Sequence, residues 1–129
     1  MGFNDYNYLY EESAEELGTT GFCDLVAELL QKSFPEAELY RLSNGTENSF
    51  AHVFLVIGSL MLDIKGFRSL EEYKKEEAER NHYAEPVKWP QVRAAFRYNR
   101  DRHEIDIARS RFVDYIAENP DKFTLNLGE

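Results

Sequence analysis

The chain carries one cysteine, Cys23, followed in order by His52 and Asp63. A thiol, an imidazole and a carboxylate are the parts required for nucleophilic acyl transfer. The sulfur attacks a carbonyl, the imidazole takes and returns a proton, and the carboxylate orients the imidazole. Cys23 falls in the first turn of an expected helix, where unpaired backbone N–H groups and the positive end of the dipole favour a thiolate. Those same N–H groups can also hold a developing oxyanion.

The elements that must position these groups follow from residue spacing. After Gly18-Thr19-Thr20-Gly21, the residues Phe22, Leu25, Val26, Leu29 and Leu30 recur at helical spacing. Thr19 or Thr20 is the expected cap, and Phe34-Pro35 marks the end. Glu38–Leu42 reads as a strand, with a turn signal at Asn44-Gly45. Phe50–Ile57 is apolar on both faces, which suits a central strand. Gly58-Ser59 fits a two-residue hairpin turn, and Leu60–Ile64 is the expected return strand, ending at Gly66-Phe67.

If Ile57 faces Leu60, the register puts Phe54 opposite Asp63 and His52 opposite Lys65. His52 and Asp63 are then diagonal neighbours on one sheet face, roughly 7–8 Å apart at the backbone and within side-chain reach. A three-residue turn would send Asp63 to the other face.

Cys in T-G-F-C-D-L-V, His in S-F-A-H-V-F-L-V and Asp in L-M-L-D-I-K-G-F resemble the transglutaminase-like branch of the papain-like thiol enzymes. The resemblance covers about residues 18–67. It implies Cys23 as nucleophile, His52 as general base and acid, and Asp63 as the orienting carboxylate. It also implies attack on an amide bond of a protein or peptide substrate. With water as acceptor the activity would be that of a peptidase, amidase or glutamine deamidase; with an amine it would be transglutaminase-like. Trp89 stands far downstream of Cys23 rather than beside it.

Each residue also has a plainer use. Cys23 can be a small buried hydrophobe on the helix stripe, His52 a core histidine, and Asp63 a brace for the Lys65-Gly66 turn. An alternative function is therefore non-catalytic: an acidic inhibitor or immunity factor for a basic protein partner, or an inactive relative of a thiol enzyme.

The 129 residues allow one domain, 1–129. Apolar residues make up 43%, and 9 Phe, 8 Tyr and 1 Trp supply material for a core. A net charge of −9 opposes broad nucleic-acid binding. The acids are concentrated in residues 1–50, with ten acids against two bases. Arg93, Arg97 and Arg100 would share a helical face that could grip phosphates or an acidic partner, but the negative net charge favours pairing with the acidic first half or with solvent. No apolar run reaches membrane-spanning length, the first ten residues do not read as a signal peptide, and a single cysteine excludes an internal disulfide framework. A cytoplasmic protein is expected.

His82 with Glu79, and His103 with Glu104 and Asp106, are too scattered to predict a metal site, and no cofactor is expected. Tyr6, Tyr8 and Tyr10 alternate as a strand would, or form a segment that docks on the core. Helices are expected at Glu11–Leu17 and Ser69–Tyr83, the latter exposed and braced by Glu71–Lys75 and Glu76–Arg80 pairs. Beyond them, Trp89-Pro90 reads as a helix entrance with Val92, Ala95 and Phe96 on its apolar face. Ile105, Ala108, Phe112, Tyr115 and Ile116 form another apolar face, stopped by Asn119-Pro120, and Phe123–Leu127 reads as an edge strand.

The expected architecture is α+β: an N-terminal helix packed on a small antiparallel sheet, with peripheral C-terminal helices. Residues 18–67 would form the thiol-enzyme core and residues 68–129 would be mainly helical.

Overall fold

A computed structural model describes residues 7–19, 22–43, 50–81, 87–88 and 101–125. The expected Asn44-Gly45 turn, the Trp89-Pro90 helix entrance, the Val92/Ala95/Phe96 face, the Arg93/Arg97/Arg100 stripe and His82 lie outside them. In chain order the elements are α1 (Tyr8–Glu11), α2 (Ala14–Thr19), α3 (Cys23–Ser33), β1 (Glu38–Ser43), β2 (Phe50–Ile57), β3 (Leu60–Asp63) and β4 (Gly66–Ser69). They continue with α4 (Leu70–Asn81), β5 (Val87–Lys88), α5 (Arg102–Glu118) and a 3-10 turn (Pro120–Phe123). The class is α+β.

The strands form one sheet in the order β4-β3-β2-β1-β5, with antiparallel neighbours throughout. Ile57 pairs with Leu60 across Gly58-Ser59, and Gly58 adopts φ +58°, a conformation that glycine supplies without a Cβ penalty. A second tight turn follows, because Asp63 pairs with Gly66. The return strand therefore ends at Asp63, and Gly66–Ser69 forms a further strand where the sequence suggested only a stop. GFRS is too short and too mixed to show a period-two pattern.

Both sheet faces are covered. On one, Leu39, Val53, Leu55, Leu62 and Ile64 meet Leu9, Leu17, Leu25, Val26 and Leu30 from the N-terminal helices and Ala108 and Phe112 from α5. Phe112 is fully buried and stands edge-on to Phe22 at 6.3 Å between ring centres. On the other face, Leu42, Phe54, Val56 and Met61 pack with Tyr73 of α4.

The helix ends show local reasons for their positions. Ser13 and Glu16 form a reciprocal capping box, with the Glu16 N–H donating to Ser13 Oγ at 3.0 Å and the Ser13 N–H to Glu16 Oε1 at 3.2 Å. Asp101 caps α5 by accepting from the Glu104 N–H at 2.7 Å. Of the two residues expected to cap α3, Thr20 lies outside the described residues and Thr19 instead closes α2, its hydroxyl donating to the Glu15 carbonyl at 2.8 Å. The α3 N-cap position is Phe22, which makes no side-chain cap bond.

Residues 8–11 are helical rather than extended, and Leu9 is buried. Tyr8 donates to Glu104 at 2.6 Å, and Arg111 donates to the carbonyls of Leu9 and Glu12, each at 2.6 Å. The acidic N-terminal segment is thus tied to α5 within the chain. Of the expected edge strand, Phe123 ends the 3-10 turn and buries its ring against Tyr115, 6.2 Å between centres, while Thr124 and Leu125 are not in a strand. Pro120 opens that 3-10 turn, where its missing N–H leaves no bond unmade.

Candidate active site

Cys23 is the first residue of α3, Asp63 the last of β3, and His52 lies within β2. The two-residue turn fixes the parity that places His52 and Asp63 on one sheet face. His52 Nε2 stands 2.9 Å from Asp63 Oδ2. An ionised carboxylate only accepts, so Nε2 carries the hydrogen. Cys23 lies close enough to the ring to raise the His52 pKa, and with Nε2 occupied by Asp63 the nitrogen left for the sulfur is Nδ1. The structure therefore brings together all three residues singled out in the sequence.

All three are buried, with relative exposures of 2% for Cys23, 7% for His52 and 3% for Asp63. Burial pulls the His52 pKa down, but the hydrogen bonds to Asp63 and Cys23 and the charges of those groups outweigh it, and the value is pushed up to about 9. Burial works against the Asp63 carboxylate too, yet His52, Arg68 and the Lys65 N–H hold its pKa below the ordinary range. At neutral pH the buried pair is therefore imidazolium and carboxylate.

Asp63 also has the plainer role: its Oδ1 accepts from the Lys65 N–H at 2.9 Å and braces the turn into β4. Two further residues complete the surroundings, and sequence reasoning missed both. Arg68 Nη2 donates to Asp63 Oδ2 at 2.6 Å. The ring of Tyr73 lies 6.2 Å from the His52 ring centre and 5.3 Å from Phe54. Had Ile64-Lys65 been recognised as a second two-residue turn, Arg68 would have fallen diagonally beside Asp63. Tyr73 gave no such signal, because α4 is otherwise densely charged.

A cavity of about 180 Å³ opens beside this cluster, lined by Arg68, Ser69, Glu72, Tyr73 and Glu76. Among the described residues no group of three His, Cys, Asp or Glu side chains could hold a metal ion. No helix among them is long and apolar enough to cross a membrane.

The family model for the Phage YunG-like protein matches residues 4–105, most of the chain. The chain belongs to the Phage YunG-like family. This membership corrects the assignment to transglutaminase-like and papain-like enzymes drawn from residues 18–67. A helix start followed by a tight hairpin can bring a thiol, an imidazole and a carboxylate together on unrelated folds, so that order reports a local arrangement and not ancestry. No curated protein matches this member of the Phage YunG-like family, and no solved structure matches it.

Proposed function

We propose that the chain is a cysteine-dependent hydrolase or acyltransferase acting on an amide bond of a protein or peptide. The observation that carries this reading is the His52 ring held between Asp63, at 2.9 Å from Nε2, and the thiol of Cys23. The step starts from the form in which His52 is neutral: as Sγ bonds to the carbonyl carbon, the thiol proton moves to the ring nitrogen facing it. Collapse of the tetrahedral adduct breaks the C–N bond, and His52 passes the proton to the departing amine or ammonia. Water or a second amine then attacks the thioester, and Cys23 recovers its proton.

The reading requires the cover over Sγ to open, because Cys23 is only 2% exposed. Iodoacetamide treatment of the native protein, followed by mass spectrometry of the Cys23 peptide, tests it. The expected result is modification near neutral pH that slows at least tenfold in His52→Ala. Modification only after denaturation would refute the nucleophile.

Burial of the sulfur and the net charge of −9 also support a second reading, a non-catalytic acidic protein that binds a basic partner. Salt-sensitive binding to such a partner that survives Cys23→Ala would favour it.

A further inference from the structure

We infer that Arg68 is a positioning residue that clamps the Asp63 carboxylate so that His52 keeps its other ring nitrogen, Nδ1, turned toward Cys23. This rests on the reading of Cys23, His52 and Asp63 as the reacting group, and extends it to a side chain that touches none of the reacting atoms.

The argument begins with the β3–β4 ladder. Asp63 faces Gly66 and Met61 faces Arg68, so Arg68 and Asp63 lie diagonally on the same face as His52. Asp63 Oδ2 accepts from two donors, His52 Nε2 at 2.9 Å and Arg68 Nη2 at 2.6 Å. Oδ1 is taken by the Lys65 N–H at 2.9 Å. Each carboxylate oxygen is thereby engaged, and the carboxyl plane has little freedom to turn.

The guanidinium is itself held, lying 5.6 Å from the centre of the Tyr73 ring, and that ring in turn packs against His52. The Arg68 side chain is 34% exposed where Asp63 is 3% exposed, and it lines the cavity that opens on α4. Arg68 thus links the buried pair to solvent. The charges around His52 are Cys23 and Asp63 directly, Arg68 through Asp63, and Glu77 through its effect on Tyr73.

A merely structural ion pair would join β4 to β3 and leave the imidazole alone. A clamp has a different consequence. With Arg68 gone, Oδ2 serves His52 alone and a nearby positive charge is lost, so the imidazolium is held more tightly.

The test is a titration of the His52 ring by NMR in the full chain, with the pH dependence of Cys23 alkylation by iodoacetamide measured alongside. Arg68→Gln should raise the His52 midpoint by about 1 pH unit and displace the alkylation profile in the same direction. Arg68→Lys, which keeps the charge but loses the planar fork, should restore more than half of the shift and serves if Arg68→Gln fails to fold. A His52 midpoint that stays put in folded Arg68→Gln, or one that moves by the full unit in folded Arg68→Lys, overturns the clamp. If the midpoint moves while native Cys23 proves inert to iodoacetamide, the clamp stands and the acyl-transfer reading falls.

Discussion

His52 Nε2 and Asp63 Oδ2 meet at 2.9 Å across a hairpin in which they are diagonal, not facing, partners. The contact depends on a turn of two residues. It converts a buried histidine, which burial alone would hold neutral, into a cation at neutral pH.

Asp63→Asn removes the charge that sustains that cation. The His52 midpoint should fall from about 9 to below its ordinary 6.5, because burial is then opposed by less. The folded state should lose about 3 kcal/mol, typical of breaking a buried ion pair on one side. NMR titration and urea unfolding measure the two effects.

The pair also predicts how stability varies with pH. His52 has a raised pKa, so its contribution is fully present below 6.5 and is lost as pH rises through about 9. Asp63 has a lowered pKa, so its contribution is present above its ordinary 3.8 and is lost as pH falls through the folded-state value. Thermal unfolding from pH 3 to pH 10 should show His52→Gln losing most of the alkaline decline.

Gly66→Ala tests the second turn. Gly66 sits at φ +96°, and an added Cβ would lie 2.5 Å from the Lys122 carbonyl oxygen. The substitution should cost about 2 kcal/mol or more, measured by urea unfolding. It should also disturb the His52 titration, because Arg68 follows two residues later.

Phe112→Ala should cost about 3–5 kcal/mol, the range for removing a fully buried aromatic ring. The ring bridges α5 to the α3 side of the core through Phe22. Chemical denaturation measures the loss.

Much of this arrangement is legible in the sequence where periodicity and turn chemistry agree. The α3 stripe through Leu25, Val26 and Leu30 and the Ile57–Leu60 pairing are of that kind, and the parity of His52 and Asp63 follows from the second. Less legible are features that depend on tertiary context. Gly66–Ser69 is a strand because β3 offers it a ladder, not because GFRS alternates. Tyr73 belongs to the site because α4 folds back over β2, which no local pattern in a charged helix announces. The capping of α3 misled for a related reason: Thr19 had a nearer partner, the Glu15 carbonyl, inside α2. Ancestry was the least legible, since a helix start and a hairpin suffice to gather three side chains.

The family match ends at residue 105, yet Ala108 and Phe112, both fully buried, lie beyond it. A chain cut at that boundary would open the hydrophobic interior along Leu9, Leu17 and Phe22. It would also leave the carbonyls of Leu9 and Glu12 without the Arg111 guanidinium that now anchors them. The autonomous folding unit thus reaches at least to the second half of α5, and the 3-10 turn beyond acts as a wedge whose Lys122 backbone bears on the corner at Gly66.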